Sequence, residues 1–155
     1  MPELRPVTKD NWLELSRLKV AEGQGDFVAP NVYSIAEAQF GAEDEIGRWN
    51  LYPLGVYEEG KPVGLILYGL NYAHPDTQGL IMRLMVDEKF QGQGYGRFAM
   101  QAVLDIFRAD GNVKAVVISY LPENVGAKNL YASLGFVETG EVFHAELVAV
   151  LKMEV

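Results

Sequence analysis

Between residues 80 and 110 the chain changes period. Residues 80–86 form an apolar run broken only by Arg83, short enough to be a buried strand. From Gly94 to Ala109, Phe98, Val103, Leu104 and Phe107 recur near helical spacing. The seam between the two holds Gly92, Gly94 and Gly96, separated by Gln93 and Tyr95. Alternating glycines leave successive backbone N–H groups bare, and the helix that follows directs its positive end at the same point. Such a turn can curl around a phosphate; a flexible glycine loop is the other reading of the same spacing. It is not a Walker loop, because no Gly-Lys-Ser/Thr follows, and its third interval differs from that of a dinucleotide fingerprint.

The remaining elements are predicted from patterning. Residues 4–7 read as a short first strand that Pro6 confines to an edge. Asp10 or Asn11 can cap a helix carrying Trp12, Leu15, Leu18 and Val20 on one face. A second helix spans Asn31–Phe40, with Ser34 as its candidate cap and Glu37 in the capping-box position. Residues 54–57 and 63–70 form a hairpin about Glu59-Gly60. Gly111-Asn112 ends the long helix, and Ala115–Tyr120, β-branched and uncharged, is a buried strand. Residues 124–134 are helical as far as Gly135, and two strands over 136–143 and 147–153 complete the sheet. The order is β-α-α-β-β-β-α-β-α-β-β, an α/β (α+β) chain predicted to be a single domain over residues 1–155.

Composition narrows the function. With 13 Lys+Arg against 21 Asp+Glu the net charge is −8, which disfavours nucleic acid and anionic membranes as partners. Cysteine is absent, which removes disulfides, thiolate metal sites and cysteine nucleophiles together. His74 and His144 have no ligand pattern around them, so no metal is expected. The N-terminal residues do not read as a signal peptide, and no apolar run approaches the roughly 18 residues of a membrane span. A cytoplasmic location is expected.

A second motif follows the buried strand: Asn124-Val125-Gly126-Ala127-Lys128-Asn129-Leu130-Tyr131-Ala132-Ser133-Leu134-Gly135-Phe136. Together the two segments resemble the GNAT superfamily of N-acetyltransferases. The pattern Q/R-x-x-G-x-G/A is met by Gln91, Gly94 and Gly96, and N-x-x-A-x-x-L-Y-x-x-L-G-F is met at every specified position. The resemblance covers essentially the whole chain. It implies a central, twisted, mostly antiparallel mixed sheet of six to seven strands with about four helices, and acetyl-CoA bound where a parallel pair, residues 80–86 and Ala115–Tyr120, splays apart. Backbone groups of Leu84, Met85 and Val86 would pair with the pantetheine arm as an added strand. Gln91, Gly92, Gln93, Gly94, Tyr95, Gly96 and Arg97 would hold the pyrophosphate, and Asn124 and Ala127 would meet the arm from the other side. Arg97, Lys128 and Lys89 are candidates for the adenosine 3′-phosphate. Tyr131 would sit by the sulfur and give its proton to the leaving thiolate, and the N–H of Leu84 would stabilise charge on the carbonyl oxygen. With no cysteine and no Ser-His-Asp pattern, direct attack by the substrate amine is simpler than an acyl-enzyme.

The acceptor is written less clearly. Glu22, Asp26, Glu37, Glu43, Asp44, Glu45, Glu58 and Glu59 face only Arg48 between Val20 and Gly60, so this window holds nearly all the excess negative charge. An acidic wall there would draw in a cationic amine, and a solvated acidic face is the alternative. Phe27-Val28-Ala29-Pro30-Asn31, Ser34-Ile35-Ala36-Glu37-Ala38, Pro53-Leu54-Gly55-Val56-Tyr57 and Leu67-Tyr68-Gly69-Leu70 resemble phrases of bacterial spermine/spermidine (diamine) acetyltransferases. Relatives of that type often carry an acid on the fourth strand where this chain has Met82; Glu37, Asp26 or a held water could replace it. The expected partner is therefore a small cationic amine such as a polyamine, with another amine, an amino acid or a protein N-terminus as alternatives. A low-turnover acyl-CoA or polyamine sensor is a third reading, against which Tyr131 speaks. The resemblance also implies a homodimer, for which the C-terminal strands are the expected place.

Overall fold

The computed structural model describes residues 1–153. In chain order the elements are β1 (Pro2–Pro6), α1 (Trp12–Ser16), α2 (Asn31–Phe40), β2 (Ala42–Asp44), β3 (Gly47–Glu58), β4 (Lys61–Leu70), β5 (Gly79–Val86), α3 (Tyr95–Asp110), β6 (Ala115–Tyr120), α4 (Val125–Ser133), β7 (Val137–Phe143) and β8 (Glu146–Lys152). The strands form one mixed sheet in the order β1-β3-β4-β5-β6-β8-β7, with β2 paired to β3 beside this path. Every pairing is antiparallel except β5 with β6, which α3 joins as a crossover.

Local chemistry explains most boundaries. Glu59 and Gly60 both have positive φ, 50° and 78°, the type I′ geometry that matches the twist of β3 and β4. Gly94 caps α3 at φ 88° and Gly111 ends it at φ 77°, both in the left-handed region. Asn124 caps α4, its side chain accepting from the Ala127 N–H. Pro6 lies on β1, an edge strand.

Four expectations need correction. Ser34 does not cap α2: the helix starts at Asn31 after Pro30, and Ser34 is buried inside it. The helix α1 ends at Ser16, so Leu18 and Val20 lie beyond it, yet both still pack beside Leu15. β3 begins at Gly47, seven residues before the expected start, because Trp49 and Leu51 alternate inward between exposed Arg48, Asn50 and Tyr52. Its extension pairs with the short β2, which was not expected.

Helices cover both faces of the sheet. On one, Met100, Val103, Leu104 and Phe107 of α3 pack against Val56, Ile66, Ile81, Val116 and Ile118. Each such side chain contributes about 1.5–3 kcal/mol on burial. On the other, Leu15 of α1 and Ile35 of α2 pack against Tyr57, Leu65 and Met85. β4 lies between these layers, and Val63–Gly69 is accordingly buried throughout.

Two buried polar groups fix the loops that flank the sheet. Asn31 donates from Nδ2 to the Leu15 carbonyl at 2.9 Å, tying α2 to α1. Asp87, 6% exposed, accepts from the backbone N–H groups of Lys19 at 2.9 Å and Lys89 at 3.1 Å, joining the 18–20 segment to the end of β5. Truncating Asp87 would leave both donors without their partner. Asp87→Ala is therefore expected to lower stability by about 2–3 kcal/mol, read from the urea midpoint at unchanged m-value; an unchanged midpoint would mean that water replaces the carboxylate at no cost.

Candidate active site

The cleft begins where two strands part. β5 and β6 are in register only at Gly79–Val116, Leu80–Val117 and Ile81–Ile118. At the same point the β4–β5 ladder skips a residue: Leu67 faces Arg83 and Tyr68 faces Ile81, so Met82 is the extra residue of a β-bulge. A bulge bends and twists its strand, here carrying the end of β5 away from β6. The opening holds a cleft of about 520 Å³ lined by Met82, Leu84, Val86, Ser119, Tyr120, Tyr131 and Glu146, among others.

One edge of β5 faces this opening. The Asp87 N–H donates to the Val63 carbonyl of β4 at 2.8 Å, whereas the Val86 carbonyl accepts from Gln91 Nε2 on the opposite side at 3.0 Å. Backbone groups alternate in direction along a strand, so Leu84 presents its N–H and C=O to the cleft together with Val86. Met85 belongs to the other set, with its backbone toward β4 and its side chain in the core beside Leu15. The expectation that Leu84, Met85 and Val86 all offer backbone groups is thus corrected for Met85.

The glycine segment forms the polar end of the cleft. Gly92 and Gly94 have φ of 77° and 88° with open space where a Cβ would stand, so backbone conformation, not crowding, demands glycine there. Gly96 lies inside α3, and its added Cβ would meet nothing closer than 3.7 Å. The first intrahelical donor is the Phe98 N–H, bonded to the Gly94 carbonyl at 3.0 Å. The N–H groups of Tyr95, Gly96 and Arg97 in the first turn have no intrahelical acceptor, and they stand at the positive end of a 16-residue helix. That arrangement suits an anion. Gln91 acts as a brace: besides Val86 it exchanges amide hydrogen bonds with Gln24 at 2.8 and 3.3 Å. Arg97 lines the cleft and donates to Ser133 Oγ at 2.9 Å. Gln93, Lys89 and Lys128 are exposed and do not line it, and Lys128 lies 3.8 Å from Glu138.

Tyr131 stands at the other end. It is 7% exposed, packed between Tyr120 and Phe136 at ring distances of 5.5 and 6.2 Å. Among the described residues no protein group hydrogen-bonds its hydroxyl, and the side chain lines the cleft. Burial, then the neighbouring Tyr120 and Glu146, hold its pKa well above the usual tyrosine value, so the phenol keeps its proton throughout the neutral range. Tyr120 donates to Glu138 at 2.8 Å, and burial together with that carboxylate pushes its pKa up to about 12. Asn124 Oδ1 is engaged in capping α4, with Ala127 beside it on the cleft wall.

The acids foreseen for the acceptor are elsewhere. Glu37 is ion-paired with Arg83, whose guanidinium lies 5.0 Å from the Tyr33 ring centre. Asp26 is exposed, and none of the eight acids of the 20–60 segment lines the cleft. Met82 does line it, as the bulge residue. Among the described residues the one carboxylate that lines the cleft is Glu146, whose Oε1 accepts from Ser119 Oγ at 3.2 Å. Sequence reasoning missed it, because only the pairing of β8 with β6 brings it there.

A splayed parallel pair with an open strand edge, an anion-binding helix start and a buried phenol defines the acyl-transfer class of site. The match to known proteins agrees. Residues 13–136 match the acetyltransferase (GNAT) family, and the chain belongs to it. A spermine/spermidine N(1)-acetyltransferase of Bacillus subtilis is 28% identical, the alignment covering 97% of both chains. An aminoglycoside acetyltransferase solved with coenzyme A and kanamycin superposes with a TM-score of 0.73 at 17% identity, over 98% of this chain and 95% of that one. The PaiA N-acetyltransferase of Thermoplasma acidophilum, solved with coenzyme A, gives 0.68 at 11% identity over 98% and 99%. The protein is therefore an acetyltransferase of the GNAT type. Among the described residues no helix is long and apolar enough to cross a membrane.

The two helix-start glycines separate conformation from packing. Gly94→Ala forces a left-handed alanine at a cost of about 1–2 kcal/mol and should weaken coenzyme A roughly tenfold by calorimetry, whereas Gly96→Ala should change the Kd less than about threefold. Equal effects would show that the left-handed turn is not what presents the donors.

Proposed function

We propose that this enzyme acetylates a polyamine of the spermidine or spermine type by direct attack of the amine on the thioester. Tyr131 carries the reading: a protonated phenol with no hydrogen-bond partner among the described residues, lining the same cleft as Leu84. The polyamine class is supported by the near full-length likeness to the Bacillus relative and by the phrases around Asn31 and Leu54.

Acetyl-CoA, when bound, supplies the electrophilic carbonyl and a thiolate leaving group. The Leu84 N–H would donate to the carbonyl oxygen as charge develops there. Leu84 and Val86 would hold the arm along the open edge, and the N–H groups of Tyr95, Gly96 and Arg97 would hold the pyrophosphate. The new N–C bond forms as the C–S bond breaks, one nitrogen proton having left before attack and a second leaving after it. Tyr131 meets the departing sulfur. A thiol near pKa 8.5 is more acidic than a tyrosine above 10, so complete transfer from the phenol is uphill by about 2 kcal/mol or more. Tyr131 therefore acts chiefly by hydrogen-bonding the thiolate, the second nitrogen proton restoring neutrality. The acceptor must be neutral to attack; at a pKa of ~10.4 only about one amine in 2,500 is neutral at pH 7, a deficit of roughly 4.6 kcal/mol. The expected homodimer would use β7, an edge strand with Val137, Val142 and Phe143 exposed.

Mixing the protein with acetyl-CoA and spermidine should release thiol with saturation in both; saturable binding without thiol release would sink the enzyme reading. Tyr131→Phe should lower kcat by about 10–1,000-fold with little change in coenzyme A affinity. Because the phenol's pKa is raised, Tyr131 loses its proton only above the ordinary tyrosine range. The wild-type rate should therefore show no falling limb due to Tyr131 below about pH 10. A limb at pH 8–9 that disappears in Tyr131→Phe would overturn that protonation assignment.

A further inference from the structure

We propose that Glu146, oriented by Ser119, is the general base that takes the proton from the acceptor ammonium. This rests on the amine-acetylation reading above, and extends it to a residue that the motifs do not mark.

Three observations converge on Glu146. First, it is the one carboxylate lining the cleft among the described residues; of the acids foreseen near the acceptor, Glu37 is committed to Arg83 and Asp26 does not line the cleft. Second, its direction is set. Ser119 lies just past Ile118, the last residue of β6 in register with β5, on the part of the strand that borders the opening. Its hydroxyl donates to Glu146 Oε1 at 3.2 Å, and no protein group among the described residues bonds Oε2. Third, a tight hairpin turn fixes where β8 begins. The two-residue turn before Glu146 is His144-Ala145, both with positive φ, 49° and 67°, in residues that are not glycine. This turn starts β8 at Glu146, opposite Phe143 of β7.

The sheet also separates Glu146 from Tyr131. Ile118 and Tyr120 belong to the core on the α3 face, where Tyr131 also packs, so Ser119 between them points to the opposite face. β6–β8 pairing sets Ser119 across from Val148, and two residues back along β8 Glu146 shares that side. Base and phenol therefore approach the cleft from opposite faces of the sheet, which keeps proton removal from nitrogen apart from donation toward sulfur. In the step, Glu146 takes one N–H proton of the ammonium and becomes neutral. The freed lone pair attacks the thioester carbonyl, the C–S bond breaks, and Glu146 later returns its proton to solvent.

A pH profile tests this directly. The titratable and charged groups that line the cleft with Glu146 are Tyr131 from α4, Tyr120 from β6 with its hydroxyl bonded to Glu138, Arg83 from β5 held by Glu37, and Tyr95 and Arg97 from α3; His144 lies two residues before it in the turn. Glu146→Gln keeps shape and the Ser119 contact while removing the basic oxygen. With spermidine its kcat/KM should fall about 10–100-fold at pH 7, and the loss should shrink to less than about threefold near pH 10, where roughly 30% of an amine of pKa ~10.4 is neutral unaided, against about one in 2,500 at pH 7. Glu146→Asp should recover part of the loss, and coenzyme A affinity should stay within about twofold. Wild-type kcat/KM in Glu146→Gln, or a loss of equal size at pH 7 and 10, would overturn the role. The same pair of proteins is assayed with a panel of other primary amines. Acetylation of another amine but not spermidine refutes the polyamine reading alone, and the pH comparison then decides Glu146 on that amine. If no amine is acetylated, both readings fall.

Discussion

The parting of β5 from β6 is the constraint on which the rest of the site depends. Three residue pairs hold the strands in parallel register, and the Met82 bulge then turns β5 away. Had the ladder continued, Leu84 and Val86 would spend their backbone groups on β6. A strand edge left open inside a protein is costly unless something satisfies it, and it is also a template for an extended ligand. The surroundings oppose its collapse. Asp87 anchors the end of β5 to Lys19 and Lys89, and Gln91 braces Val86 against Gln24. The glycine turn begins within that braced segment, so the anion-binding N–H groups and the open edge are held in one rigid relation.

Charge in the cleft is divided by the same scaffold. The N-terminus of α3 gives one end a positive potential. On the acceptor side Arg83 and Glu37 neutralise each other, at 17% and 21% exposure, with Arg83 also resting on Tyr33. Taking either partner alone out of water would cost several kcal/mol, so neither is free to serve a substrate without leaving the other unpaired. The pair works as a wall, and this leaves Glu146 as the uncommitted negative charge facing the opening.

Features written in local sequence were legible, and features that depend on register were not. The glycine turn, the Gly111 helix end, the Glu59-Gly60 hairpin and the apolar strands each follow from neighbours within a few residues. Met82 appeared as a missing acid; only the β4–β5 register reveals it as a bulge whose backbone geometry matters more than its side chain. Gly47–Glu58 was seen only in its apolar second half, because the first half carries its inward residues, Trp49 and Leu51, between polar ones. Glu146 has no motif around it, and reaches the cleft through pairing across β6. Lys89 and Lys128 could not be separated from Arg97 by type or spacing, whereas the lining of the cleft, which includes Arg97 alone of the three, separates them at once.

The acidic composition acquires a different meaning from the one its sequence window suggested. Glu43, Asp44 and Glu45 lie about the β2–β3 hairpin and Glu58 and Glu59 at the β3–β4 turn, away from the lining of the cleft. At physiological ionic strength the screening length is about 8 Å, so such charges reach the reacting nitrogen only as a weak, diffuse field. Solvated pairs are worth about 0–1 kcal/mol each, enough to raise the local concentration of a cation but not to choose one. Discrimination must therefore arise within a few ångströms of the thioester, where one carboxylate can meet one ammonium. On the polyamine reading, the amine that reacts is selected inside the cleft.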